Sequence, residues 1–172
     1  MSKNLSIILS TYNEELFIEE TLKYIVNTFP ECEIIIVDDN SKDNTINIVK
    51  KLNIKNVKLF ERKSRGLASA FLLGLINSSK EVIGWIDSNQ GKLIKRYPAM
   101  IDQLDTNDMV IGYKEKRQDP IYRIYLAKIF NLLVRLYFKV PFNDIDCPLR
   151  LIRKTPMKKI FKQASIISQI IG

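Results

Sequence analysis

The 172-residue sequence contains no histidine and only two cysteines, Cys32 and Cys147. The first absence excludes Ser-His and Cys-His catalysis and histidine-ligated zinc. Two cysteines are too few for a disulfide framework or a thiolate zinc cage, and they fit a reducing compartment. No apolar stretch reaches the roughly 18 uninterrupted residues of a membrane-spanning helix. The opening Met1-Ser-Lys-Asn-Leu runs straight into a strand-like segment, so no cleavable leader is predicted. There is no internal repeat, low-complexity tract or Gly/Ser linker, and one domain over residues 1–172 is expected.

What is present is ordinary globular composition with an uneven charge. Lys and Arg number 27 against 19 Asp and Glu, a net +8. Residues 1–86 carry 11 basic and 11 acidic side chains, whereas residues 87–172 carry 16 and 8. The whole excess therefore lies in the second half, which calls for an anionic partner. A nucleic acid is not expected, because no aromatic–basic interleaving of a nucleic-acid reader accompanies the charge.

Leu5-Ser-Ile-Ile-Leu-Ser, Cys32-Glu-Ile-Ile-Ile-Val, Val57-Lys-Leu-Phe and Val82-Ile-Gly-Trp-Ile read as short buried strands. Between them the period turns helical. From Asn13 onward Leu16, Ile18, Leu22 and Ile25/Val26 are placed to face a core. Asp38 to Thr45 is a dense turn signal that offers an N-cap to a helix at Ile46–Leu52, and Gly66–Leu75 is a small-residue helix. Strands alternating with helices predict an α/β fold with a mostly parallel sheet. In such sheets ligands bind beyond the carboxyl ends of the strands, where Thr11–Glu14, Asp38/Asp39 and Asp87 fall. Further on, Pro98–Leu104 reads as helix, Met109-Val-Ile-Gly as a strand and Ile121 to Lys139 as a long apolar helix. A narrow stripe of Lys128, Asn131, Arg135 and Lys139 marks the polar side of that helix, with Arg123 pointing elsewhere.

Five segments resemble, in order, the family-2 glycosyltransferases of the GT-A (Rossmann-like) fold, above all the polyprenyl-phosphate (dolichol-phosphate-type) sugar transferases. They are Ile7-Ile-Leu-Ser-Thr-Tyr-Asn-Glu, Val37-Asp-Asp-Asn-Ser-Lys-Asp-Asn-Thr, Arg65-Gly-Leu-Ala-Ser-Ala-Phe-Leu-Leu-Gly, Asp87-Ser-Asn and Asp144-Ile-Asp-Cys-Pro-Leu-Arg. The resemblance implies that Tyr12 packs on a nucleotide base, Glu14 accepts from ribose or base, and Asp39 bonds the base edge. Ser10, Thr11, Val37 and Ser88 complete the expected nucleotide-sugar contacts. Asp38 and Asp39 alternate in direction at a strand end, so one can meet ligand while the other braces the turn.

The resemblance also implies Mg2+ or Mn2+ on the donor diphosphate, held by Asp87 and by residue 89. Asn89 stands where relatives have a second aspartate, and Gly91 where they often have glutamine, so a weak metal site is expected. Arg150 matches a basic residue directed to the donor diphosphate, and with Asp87 forms the expected catalytic pair, although Pro148-Leu departs from the family's Gly-Phe. Lys114, Arg117 and Arg123 are expected on an acceptor phosphate.

A phosphate acceptor is already ionised near neutral pH and needs cations rather than a strong base. The implied activity is inverting transfer of a hexose from a GDP- or UDP-linked sugar to a polyprenyl-phosphate. Two alternatives stay open: a sugar or protein hydroxyl as acceptor, and an inactive GT-A nucleotide-binding module. No acidic residue follows Asp146, which predicts either the phosphate acceptor or a chain cut short at its C-terminal end. Ile121–Lys139 is expected to be covered by core, a second subunit, a lipid tail or a membrane surface; the chain is expected to be cytoplasmic, and the membrane alternative adds peripheral contact at the cytoplasmic membrane face.

Overall fold

The computed structural model describes residues 4–63, 66–113, 120–139, 144 and 147–160; Lys114 and Arg117 lie outside them, as does the side chain of Arg123. Strands β1 (Leu5–Thr11), β2 (Glu33–Asp38), β3 (Val57–Glu61), β4 (Val82–Trp85), β5 (Met109–Ile111) and β6 (Arg150–Arg153) form one sheet in the order β3-β2-β1-β4-β6-β5. Strands β1 to β4 are parallel; β6 runs antiparallel to both β4 and β5.

The two central strands show why the fold forms. β2 is buried at every residue and β1 at all but Ser10, as expected for parallel strands covered on both faces. Alternation sorts their side chains. Leu5, Ile7 and Leu9 join Ile18, Leu22 and Ile25 of helix α1 (Ile18–Thr28), together with Val49 of α2 (Thr45–Leu52) and Met100 of α4 (Tyr97–Ile101). Ile8, Ile35, Val37 and Ile83 instead meet Ala70, Phe71 and Leu75 of α3 (Leu67–Asn77) on the other face. Each fully buried Ile or Leu in these layers contributes about 1.5–3 kcal/mol. Gly84 is required by close approach: a Cβ there would lie 2.6 Å from the fully buried ring of Tyr97, whose hydroxyl is within reach of the Trp85 (3.1 Å) and Arg150 (3.3 Å) carbonyls.

Three sequence expectations change. Leu16 is 81% exposed rather than core-facing. Asn13 adopts a left-handed conformation (φ 55°) and the Glu14 carbonyl accepts from both Phe17 and Ile18 N–H, so the helix starts only at Ile18. The helix expected at Pro98–Leu104 is α4 followed by a 3-10 turn, Asp102–Asp105. β6 (Arg150–Arg153) adds a strand that the sequence pattern does not announce.

The long helix α5 (Ile121–Phe138) matches its expected span but not its expected orientation. Ile124, Ala127, Asn131 and Val134 form the covered stripe, with Asn131 buried and its amide donating to the Ala127 carbonyl at 2.8 Å. The polar stripe in the sequence predicts the solvent side for Asn131, and packing of α5 reverses that. Ile121, Tyr125, Leu126, Ile129, Leu133, Leu136 and Tyr137 are all more than half exposed. Among the described residues, no helix is long and apolar enough to cross a membrane.

At the edge of the sheet opposite the motifs, Glu33 is buried and accepts from the Ser6 hydroxyl, the Ser79 N–H (2.7 Å) and Lys58 Nζ (2.6 Å). Burial alone would raise its pKa; Lys58, Ser6 and Ser79 outweigh it and bring the carboxyl to about 2. The unfolded carboxyl titrates near 4.5, so this contribution is complete above that pH and is lost as pH falls toward the folded value. Glu33→Gln is expected to cost about 2 kcal/mol at pH 7, and the gap from wild type should narrow in thermal melts taken at successively lower pH.

Candidate active site

A cavity of about 380 Å3 opens at the carboxyl ends of β1, β2 and β4, lined by Ser10, Thr11, Tyr12, Glu14, Asp39, Leu67, Asp87, Ser88 and Asn89. Two neighbouring turns shape it. The Asn13 N–H donates to Ser41 Oγ (2.9 Å), Glu14 N–H to Thr45 Oγ1 (2.8 Å) and Glu15 N–H to Asp43 Oδ2 (3.0 Å). In return Asn13 Oδ1 accepts from Lys42 N–H (2.8 Å) and Glu15 Oε2 from Asn44 N–H (2.9 Å). Short polar side chains thus satisfy backbone donors of the opposite turn, as Asx-type residues do.

The adjacent aspartates separate as their alternation implies. Asp38 is buried and holds its own turn: it accepts from Thr11 Oγ1 (2.8 Å), Ser41 N–H (2.8 Å) and Ser41 Oγ (2.6 Å). Asp39 faces the cavity. The Thr11 hydroxyl is committed to Asp38, although the residue lines the cavity.

Tyr12 is 36% exposed on the cavity wall rather than in the core. Val37 departs from the expected contacts. It is fully buried and its side chain belongs to the α3-side core, because an inward β2 residue cannot also face the rim. Arg150 sits opposite Trp85 in the β4–β6 pairing, but its guanidinium lies over the Trp85 ring at 4.9 Å and its Nε donates to the Cys147 carbonyl at 3.0 Å. It does not line the cavity.

Glu14 is half-buried. Burial raises its pKa, the Ser88 hydroxyl bond lowers it, and the negative fields of Asp87 and Asp43 raise it again, with a net upward result. The lining thus carries three carboxylates, and none of its described side chains is cationic. Such a cavity takes a diphosphate only with counter-charge. The donors at the Asp87 end are all oxygens (two carboxylates, an amide and a hydroxyl), which suits a hard cation such as Mg2+ or Mn2+. Among the described residues no group of three or more His, Cys, Asp or Glu is built to hold a metal, so substrate oxygens and water must complete any coordination shell. Cys32, whose thiol burial pushes up to about 12, is structural.

Arg62 is a site residue that the sequence reading missed. Its Nε and Nη2 clamp Asp39 Oδ1 and Oδ2 (the latter at 2.9 Å), Nη1 donates to Ser69 Oγ (2.7 Å) and Nη2 also to the Gly66 carbonyl (2.6 Å). The Gly66 N–H completes the circuit to Asp39 Oδ2 at 2.9 Å. In the sequence Arg62 lies in a basic run, Arg62-Lys63-Ser64-Arg65, with nothing to distinguish it from a solvated lysine. Both partners are nearly buried (12% and 11% exposed side chains), so removing one strands a charge. Arg62→Met is expected to destabilise by about 3 kcal/mol. The double variant Arg62→Met/Asp39→Asn should recover much of that loss in a denaturant double-mutant cycle.

Residues 6–161 match the Glycosyl transferase family 2 profile. The chain is 27% identical over 162 residues to an undecaprenyl-phosphate 4-deoxy-4-formamido-L-arabinose transferase of Pseudomonas fluorescens, covering 87% of this chain and 47% of that protein. It is 26% identical over 166 residues to the Shewanella sediminis enzyme of the same name, covering 91% and 50%. The chain thus spans about half the length of the curated relatives it matches. Among solved structures, TarS 1-349 of S. aureus superposes with a TM-score of 0.62 at 25% identity, covering 91% of this chain and 48% of TarS. Glucosyl-3-phosphoglycerate synthase of Mycobacterium tuberculosis, solved with Mn2+, UDP and glucosyl-3-phosphoglycerate, superposes with a TM-score of 0.69 at 19% identity, covering 89% and 57%. Four of the five segments contribute residues to one cavity, the family profile spans residues 6–161, and this chain belongs to glycosyl transferase family 2.

Proposed function

We propose that this chain binds a nucleoside-diphosphate sugar, UDP- or GDP-linked, and transfers its hexose with inversion to a polyprenyl-phosphate. The cavity at the carboxyl edge of β1, β2 and β4 carries this reading: it puts an exposed aromatic, Tyr12, and Asp39 at one end and Asp87 with Asn89 at the other. The names of the curated relatives support the acceptor class.

In this reading Tyr12 packs on the base, Asp39 meets its edge, and Ser10, Thr11 and Ser88 line the ribose and diphosphate path. Val37 acts only by positioning β2 beneath them. Asp87 with Asn89 would hold a divalent cation, whose positive charge would offset that of the departing nucleoside diphosphate. Structures of glucosyl-3-phosphoglycerate synthase with Mn2+ and UDP support a metal of this kind. Lys114, Arg117 and Arg123 bind the acceptor phosphate and hold its ionised oxygen in line with the anomeric carbon. Because that oxygen is already deprotonated, no side chain has to remove a proton, and single displacement gives inversion. Arg150 supports the metal end of the site by stacking on Trp85.

The outward apolar side of α5, with Lys128, Arg135 and Lys139 at its margins, rests on the cytoplasmic face of a membrane and keeps the acceptor's lipid tail near the site. The helix contains no Asp or Glu, so nothing on it opposes an anionic surface.

Transfer of radiolabelled sugar from UDP- or GDP-sugars to a polyprenyl-phosphate in detergent tests the activity. Asp87→Asn is expected to lower turnover by at least about 100-fold. Arg123→Ala is expected to raise the acceptor KM while donor affinity holds, and unchanged acceptor KM removes Arg123 from its assigned role. Flotation with anionic vesicles, but not with neutral ones, is expected for wild type and should be lost in Leu126→Glu/Leu133→Glu.

A further inference from the structure

Arg62 bears on the cavity through Asp39, and the manner of its grip decides which donors that carboxylate can accept. Nε donates to Asp39 Oδ1 and Nη2 to Oδ2 at 2.9 Å, a two-pronged fork that engages both oxygens at once. The Gly66 N–H adds a second bond to Oδ2 at 2.9 Å, from a backbone at φ 149° that is open to glycine. The grip is fixed at both ends. The Arg62 N–H donates to the Asp38 carbonyl at 3.0 Å and the Asp39 N–H to the Thr11 carbonyl at 2.9 Å. Nη1 is held by Ser69 Oγ at 2.7 Å, and both side chains are nearly buried.

Bases place different demands on such a carboxylate. The guanine edge presents N1–H and the N2 amino group side by side, and a carboxylate reads that edge with both oxygens in one fork. At Asp39 the fork is already filled by a guanidinium, which has the same two-donor geometry. A guanine placed here would bury two donors against an acceptor engaged elsewhere, at about 1–3 kcal/mol for each group left unsatisfied. Uracil presents a single N–H, at N3. It asks for one bond from one oxygen, and a carboxylate oxygen takes two donors, as Oδ2 does here. Tyr12 and Leu67 line the cavity with Asp39 and offer apolar surface to a ring of either kind, so the discrimination falls to the carboxylate.

We infer that the donor site takes a uridine diphosphate sugar and turns guanosine diphosphate sugars away, with Arg62 as the positioning residue that sets the choice through Asp39. The inference rests on the donor-site reading above and narrows its two nucleotides to one. It gives the Arg62–Asp39 pair a role in selecting substrate besides the one it has in holding the ends of β2 and β3 to the start of α3.

Isothermal titration calorimetry at fixed Mg2+ compares UDP, GDP and N3-methyl-UDP, which share ribose and diphosphate and differ in the base. Wild type is expected to bind UDP at least about tenfold tighter than GDP, the size of one mismatched two-bond contact. It is expected to lose at least about tenfold for N3-methyl-UDP, whose one ring donor is blocked. In Arg62→Lys, with folding confirmed by thermal melts, the cation stays but the fork is gone. The UDP preference is expected to narrow by about threefold or more, whereas a merely structural Arg62 would weaken both nucleotides alike. Wild type that binds GDP as tightly as UDP overturns the inference and leaves the donor site standing, as does N3-methyl-UDP binding like UDP. A folded Arg62→Lys with an unchanged UDP-to-GDP ratio also overturns it. Wild type that binds neither UDP nor GDP removes the donor-site reading as well. The wild-type comparisons need no variant, so they decide the base even where Arg62→Lys fails to fold.

Discussion

The site depends on one constraint: the turn after β1 and the turn after β2 are bonded to each other, beyond the bonds that hold each turn itself. Parallel strands end side by side, so their final carbonyl and N–H groups point into a region with no further ladder to join. Here the ladder is extended by side chains. Ser41, Asp43 and Thr45 take the N–H groups of Asn13, Glu14 and Glu15, while Asn13 and Glu15 take those of Lys42 and Asn44. Each bond is worth about 1 kcal/mol net, but their joint effect is geometric. Tyr12 and Glu14 on one turn and Asp39 on the other cannot move independently, and the left-handed Asn13 and Asn40 are the residue type that tolerates the required backbone.

A second lock holds the cavity on its other side. Arg62 ties Asp39 to Ser69 and to the Gly66 carbonyl, so the end of β2, the end of β3 and the start of α3 form a single unit. The Coulomb cost of the buried Asp39 carboxylate is offset locally by Arg62. The charge asymmetry of the sequence thus acquires a spatial sense. The neutral first half contains its own compensation, and the cationic excess belongs to the second half of the chain.

Much of this was legible in the residues, and for identifiable reasons. β1 and β2 are runs of Ile, Leu and Val because both faces are covered, and such runs announce themselves. The polar residues just after them fall at the carboxyl edge whatever the packing details, so Tyr12, Glu14, Asp39 and Asp87 could be placed before any contact was known. What could not be read depended on partners distant in sequence. Leu16 fits a helical period, but the helix is delayed by a left-handed turn at Asn13. Val37 lies within a ligand-binding motif and yet points into the α3 layer, a matter of strand parity. β6 is only Arg-Leu-Ile-Arg, too short to signal a strand, and it exists because Leu151 and Ile152 are buried against β4 and β5. Arg62 and Arg150 are similar as letters. One becomes a clamp on Asp39 and the other a plate over Trp85, which in turn stacks on Phe71 at 4.7 Å.

The helix α5 shows how far composition constrains function when packing does not. A soluble surface helix buries a broad apolar face and wets a polar one. α5 does the reverse: its covered stripe contains a buried asparagine, and its outward surface is tyrosine, leucine, isoleucine and phenylalanine. At about 25 cal/mol per Å2, leaving several such side chains in water costs several kcal/mol, more than a helix of this length gains from its own hydrogen bonds. The cost is removed if the outward face meets a medium that is apolar at depth and anionic at its surface. Tyrosines suit such a boundary, and flanking lysine and arginine side chains extend to its headgroups. An acceptor whose phosphate is attached to a long hydrocarbon tail presents the same two chemistries in the same order. The feature that makes α5 a poor surface helix is therefore the one that, under the proposed function, brings a lipid-linked phosphate and the cavity to a common boundary.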